Sequence, residues 1–239
     1  EIKMKSLHKT FDILEYIVLQ CGRHVTPSEV AEYANLNIAT CTRIMGELVE
    51  RGYLDKISRK AGYVPGPMVV SIGTRDNCYR RLAAAASEPV RLLAERVCMV
   101  VNLAVMNRDR RVMLCFHSCR RNWTPWNSFT FGGDHATTAT GWLLLSAMEP
   151  EEAEKIIRAK KLPIARKELE LTRKRGWVNF ISPEDGIRVM GHLISVDGYP
   201  PAAIGFGIRK EDDPEEILSL SEDAARKIQQ KLTPDSRAF

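Results

Sequence analysis

At 239 residues the chain is long enough for one large or two small domains, each with its own core. Its 44% hydrophobic and 27% charged residues exclude a disordered or collagen-like chain, and no apolar run reaches membrane-spanning length. With no signal peptide at its start, the sequence is expected to be cytoplasmic, and its six scattered cysteines (Cys21, Cys41, Cys78, Cys98, Cys115, Cys119) to be reduced thiols.

In chain order, Ser6 caps a first helix expected to run to about Cys21, with an apolar stripe of Phe11, Leu14, Ile17 and Val18 and Gly22 as its stop. Thr26-Pro27-Ser28-Glu29 reads as a capping box with proline at the first helical position. The short helix it opens ends at Ala34-Asn35-Leu36. Asn37 then caps a longer helix carrying Cys41, Ile44, Met45 and Leu48 on one face and ending at Gly52. Short helix, tight turn and longer helix make a helix-turn-helix, in which the second helix enters the DNA major groove. The bland alternative is two core helices of an ordinary α domain.

The segment after Gly52 favours DNA. Tyr53–Ile57 reads as a strand, Ser58–Gly62 as a basic turn and Tyr63–Pro65 as a return strand, together a wing behind the recognition helix. The formal net charge of +5 suits an anionic partner, but residues 1–66 hold nine Lys/Arg against eight Asp/Glu. Binding must therefore rest on local clusters at Lys3, Lys5 and Lys9 and at Arg43, Lys56, Arg59 and Lys60. The exposed start of the recognition helix offers Asn37, Ile38, Ala39, Thr40, Thr42 and Arg43. Arg43 alone among them can bond a guanine through two donors, unless it pairs with Glu47 one turn on. Thr40 and Thr42 suit phosphate or a base edge, or are a solvated helix surface. Lys56, Arg59 and Lys60 suit phosphate.

Residues 67–97 read as connecting helices, broken at Gly73 and expected to be kinked or divided at Pro89. The second half alternates strands and helices: strands at Met99–Met106, Arg111–His117, Trp177–Phe180, Gly186–Val196 and Ala202–Ile208, and helices at Thr137–Met148, Glu151–Lys160, Leu169–Arg175 and Pro214–Leu232. Helices packed on a mostly antiparallel sheet are an α+β domain. Cys115, His117 and Cys119 alternate on one strand and would face one way. That is either a soft-metal site, and so a metal- or thiol-sensing regulator, or a buried strand face where cysteine acts as a small apolar residue. No P-loop, dinucleotide fingerprint, nucleophile elbow or H-E-x-x-H motif is present, so neither enzymatic activity nor a cofactor is expected.

SLHKTFDILEYI, TPSEVAEYANLNIATCTRIMGELVERGYL and AGYVPGPMVVSIG together resemble the opening of an IclR-family transcriptional regulator, and the resemblance continues to the chain end. It departs at Pro65, where the family usually has leucine. The resemblance implies a winged helix-turn-helix over 1–66 and a GAF-like effector domain over 67–239, with 67–97 as linker. It also implies an operator of double-stranded DNA, a small-molecule effector and a homodimer or tetramer. Gly132–Gly141 resembles the family's helix start that holds an effector carboxylate, a role suited to a helix N-terminus. Carried over residue by residue, the effector site comprises His135, Thr137, Thr138, Ala139, Asn179, Ile187, Val189, Gly205 and Gly207. Gly205 and Gly207 stand where the family has two serines, and Val189 where it often has cysteine. With both hydroxyls gone, these glycines are expected to leave room opposite the helix for an acid with an apolar or aromatic body. Trp123, Trp126, Phe129 and Phe131 would contribute to that pocket, or serve as loop anchors or oligomer contacts.

Overall fold

The computed structural model describes residues 5–58, 60–119 and 128–233. They divide into two compact units, one reaching Arg75 and the other beginning at Asp76.

The first unit is built from α1 (Lys5–Leu19), α2 (Pro27–Ala34), α3 (Ile38–Glu50), the hairpin β1 (Leu54–Ser58) and β2 (Gly62–Pro65), and α4 (Pro67–Gly73). Its core is Ile13 and Ile17 of α1, Val30, Ala31 and Ala34 of α2, Cys41, Met45 and Leu48 of α3, and Leu54 and Tyr63 of the hairpin. Two of the expected caps form: Thr26 Oγ1 accepts Glu29 N–H at 3.3 Å, and Asn37 Oδ1 accepts Thr40 N–H at 2.7 Å, whereas Ser6, expected to cap α1, lies inside that helix, which already runs from Lys5. The Glu29 carboxylate also takes Arg23 at 2.5 Å and the Tyr16 hydroxyl at 3.0 Å, which ties α2 to the end of α1. Asn35 ends α2 in the left-handed region (φ 50°), a conformation asparagine tolerates, and so sets the turn between the two helices. At Gly62 (φ +90°) a Cβ would lie 2.4 Å from the Val25 carbonyl oxygen, so only glycine lets the wing close against Val25.

The second unit holds α5 (Cys78–Val97), β3 (Val100–Asn107), β4 (Arg110–Ser118), β5 (Thr130–Phe131), α6 (Ala139–Ala147), α7 (Pro150–Lys160), α8 (Arg166–Arg175), β6 (Trp177–Ile181), β7 (Arg188–Ile194), β8 (Ala202–Ile208) and α9 (Pro214–Leu232). The strands form one sheet in the order β5-β4-β3-β8-β7-β6, with every described pairing antiparallel. Alternation along the strands sorts side chains to two faces. Val101, Leu103, Met190, Ile204 and Phe206 meet α5 and α9 on one face, and Ala104, Ala203, Val178 and Val189 meet α6 on the other. Helices α7 and α8 close a smaller cluster behind α6 around Leu145, Ile156 and Leu169. The 67–97 stretch resolves into α4, in the first unit, and α5, in the second. The expected break at Gly73 is present, α4 ending there and α5 starting at Cys78, but no division occurs at Pro89: α5 runs through it as one helix with Pro89 buried. Burial of Leu82, Ala86, Val90, Leu93 and Val97 against the sheet outweighs the one hydrogen bond proline forfeits. Among the described residues no helix is long and apolar enough to cross a membrane.

Candidate functional site

In the first unit the candidate reading surface is the outer face of α3. Cys41, Met45 and Leu48 point inward, which leaves Asn37, Ile38, Ala39, Thr42 and Arg43 exposed and Thr40 half-buried. No ion pair to Glu47 occupies Arg43 among the described contacts, so its guanidinium remains available to a base edge. In the wing, Lys56 and Lys60 are exposed, and Lys56 Nζ lies 5.9 Å from the centre of the Tyr63 ring. Arg59 and Lys3 lie outside the described residues. Lys9 is drawn off the phosphate-contact set: its ammonium donates to the Ala34 carbonyl at 2.7 Å and so caps the end of α2.

In the second unit, the turn before α6 is bound to itself. The hydroxyls of Thr137 and Thr138 donate to the Asp134 carbonyl at 3.2 and 2.9 Å. Thr138 is the N-cap but makes no side-chain cap bond, so no hydroxyl covers the first N–H groups of α6. His135 is fully buried; its Nε2 meets the Asp109 carbonyl at 3.0 Å, and burial holds its pKa below the ordinary value. Gly141 lies where a Cβ would meet the His135 carbonyl oxygen at 2.4 Å, so a side chain there would break the packing of that turn on α6. Beside it, the Arg111 guanidinium is 4% exposed and bonds both the Thr140 hydroxyl and the Asp134 carboxylate.

Two expectations about this corner are corrected. Gly205 leaves no room: a Cβ there would lie 2.6 Å from Thr140 Cγ2 and 3.1 Å from Thr140 N, so the helix already occupies the space. The space at Gly207 is likewise bounded by Ile187 Cγ2 at 2.9 Å and Met99 Cε at 3.3 Å. Asn179 does not join the group. It pairs with Met190, whose side chain faces α5 and α9, whereas its neighbours Val178 and Phe180 face α6. Its Oδ1 accepts Arg188 Nη1 at 2.8 Å. Val189, Gly205 and Gly207 thus share the α6 face of the sheet, where Ala139 packs on Gly205 and Ile187 lies against Gly207, while Thr137 and Thr138 bond Asp134 in the turn before α6. Trp123 and Trp126 lie outside the described residues.

Residues 6–58 match the family model of the IclR helix-turn-helix domain. The first unit therefore carries an IclR-type helix-turn-helix domain. The fold of the whole chain agrees. It is similar to an IclR homologue from Microbacterium hydrocarbonoxydans complexed with 4-hydroxybenzoate (18% identity, 95% of this chain and 98% of that one, TM-score 0.77). It is also similar to the IclR of Thermotoga maritima (23%, 96% and 99%, 0.65) and to an IclR transcriptional regulator of Alicyclobacillus acidocaldarius (17%, 96% and 99%, 0.70). Among curated protein sequences there is no significant match.

In the second unit, sequence reasoning passed over Arg111, Asn102 and Thr140. The signal was present for two of them: a polar residue in an inward register of an apolar strand, as Asn102 is in VVNLAVM and Arg111 in RRVML. The soft-metal reading gathers no ligands. Cys115 packs toward the α5 core, where burial raises its thiol pKa to about 11, and no cluster of three His, Cys, Asp or Glu is suited to a metal among the described residues.

Proposed function

We propose that this IclR-type regulator binds operator DNA as a dimer and responds to a small organic acid with an apolar or aromatic body held in its second unit. On the DNA side, the exposed start of α3 would read bases while Lys56, Arg59 and Lys60 contact phosphate. On the effector side, the observation that carries the reading is the start of α6. Its first N–H groups receive no side-chain cap from Thr138, whose hydroxyl bonds the Asp134 carbonyl instead. An acid group there gains charge-assisted bonds, and its body meets apolar surface. That a structural relative carries 4-hydroxybenzoate, an aromatic acid, supports this class of ligand. Effector binding would then bias the placement of the paired reading helices by its differential affinity for two arrangements.

Thermal-shift screening of carboxylates against their amides tests the site. Aromatic or branched acids are expected to stabilise the protein and their amides not to. Stabilisation by neutral or cationic compounds in preference to acids would overturn the reading. Thr138→Phe is expected to abolish the response while leaving operator affinity intact, and light scattering of the purified protein at micromolar concentration is expected to show a dimer or a multiple of one.

A further inference from the structure

The six-stranded sheet ends on one side in the two-residue β5 and on the other in β6, Trp177–Ile181. Natural sheets keep their edges from pairing with very short strands, charged side chains, proline or bulges. β6 carries no charge and no proline, and its register with β7 runs without a bulge.

The ladder shows which of its backbone groups are unused. The Gly176 carbonyl accepts Leu193 N–H at 2.8 Å, and Ser182 N–H donates to the Ile187 carbonyl at 2.8 Å. Bonding alternates along an antiparallel pair, so the even-numbered residues face β7, while Trp177, Asn179 and Ile181 turn their N–H and C=O groups outward. Among the described residues no strand pairs with that side. Exposed apolar surface accompanies the edge. Ile181 is 58% exposed and Leu171 of α8 41%, and a hollow of about 340 Å³ lies beside the strand, lined by Trp142, Leu171, Trp177 and Phe180.

Charge selects the partner. The chain enters β6 through Arg173, Lys174 and Arg175 and leaves it toward Glu184 and Asp185, all of them exposed. A second copy laid antiparallel about a two-fold axis at Asn179 sets Trp177 against Ile181 and, three residues beyond, Lys174 toward Glu184 of the other copy. A parallel copy would bring like charges together. The axis also sets the two Asn179 side chains face to face. Each Oδ1 accepts Arg188 Nη1 at 2.8 Å, and each Nδ2 can donate across the axis.

We propose that β6 is a homotypic interface: two copies of this chain pair β6 with β6, antiparallel, and join their sheets into one. This rests on the reading of the chain as a homo-oligomer and names a surface for it. Strand addition at a free edge supplies backbone hydrogen bonds, and the side chains supply the choice of partner.

Sedimentation equilibrium of the full chain over a range of concentrations tests the interface. Asn179→Pro removes an outward N–H that β7 does not use, so the sheet keeps its own bonds. With two bonds lost per pair, it is expected to weaken the association about 10- to 100-fold and to halve the mass of the assembly at intermediate concentration. Ile181→Lys, at an exposed position, is expected to act alike should the proline variant misfold. Lys174→Glu and Glu184→Lys each set like charges against one another across the axis. An equimolar mixture of these two variants is expected to associate more tightly than either alone, because unlike charges then meet again. A mixture no tighter than its components overturns the two-fold antiparallel pairing. Unchanged association of both Asn179→Pro and Ile181→Lys overturns the β6 interface and leaves pairing through another surface standing. A parent chain that is monomeric throughout overturns the homo-oligomer reading and this inference with it.

Discussion

Gly205→Ala is the sharpest probe of how α6 is seated. The added methyl would stand 2.6 Å from Thr140 Cγ2, 3.1 Å from Thr140 N and 3.4 Å from Ala139 Cβ. Thr140 is 2% exposed and its hydroxyl is held by Arg111, so turning its side chain away forfeits that bond. The N–H belongs to the helix and moves only with it. Overpacking of this kind costs about 1–3 kcal/mol. Replacing glycine by alanine gains about 0.4–1 kcal/mol by restricting the unfolded chain. The clash wins, with a net loss of about 1–2 kcal/mol, or a fall in Tm of roughly 2–8 °C for a unit of this size. Thr140→Ser removes only the clashing methyl, so the double variant Thr140→Ser/Gly205→Ala is expected to recover most of the loss relative to Thr140→Ser alone. Gly133→Ala, with nothing within 4 Å, is the control and should be neutral. Differential scanning calorimetry reads the parent and all four variants. A Gly205→Ala protein as stable as the parent would refute the close seating of α6 on β8 and restore the open space that the sequence suggested.

Arg43→Ala is expected to lose about 1–3 kcal/mol of discrimination at particular base pairs, whereas Lys56→Ala and Lys60→Ala weaken binding to all sequences and reduce the salt slope by about one each; gel-shift titrations on operator and random DNA at several salt concentrations separate the two, and identical effects would refute the division of labour. Asp134→Ala leaves the Arg111 cation buried without its carboxylate. Because Asp134 is one-third exposed, the loss is expected at the low end of about 3–5 kcal/mol by urea unfolding, and a loss under about 1 kcal/mol would mean that water already serves Arg111. Burial depresses the pKa of both His135 and His192 below 6.5, and His192 Nδ1 meets Ser221 Oγ at 2.7 Å. The unfolded chain therefore takes up these protons first, so this contribution to stability is complete above pH 6.5 and is lost as pH falls through 6.5 toward the depressed native values. His192→Asn is expected to flatten the acid side of the Tm profile; an unchanged slope would show that carboxylates alone set it.

What the sequence determined by itself is local. Caps, glycine stops and period-3.6 stripes placed α2, α3 and α9, and β8 and α9 begin and end where the pattern put them, because the forces that set such boundaries act within a turn or a strand. The two-residue strand β5 escaped notice, having too few residues to show an alternation. The effector site was legible only as a set of aligned positions. Which of them meet was decided by strand register, which puts Asn179 on the opposite face from Val178 and Phe180, and by the close approach of α6 to β8. A glycine in a strand signals close contact but does not say whether the neighbour is a ligand or a helix. Here Thr140 fills the space at Gly205, and the buried Arg111, reached from a strand far away in sequence, holds Thr140 there. Pairings between segments distant in the chain depend on how the layers stack, and no local pattern encodes them; only the tertiary structure brings Asn102, Arg111 and the start of α6 to one corner.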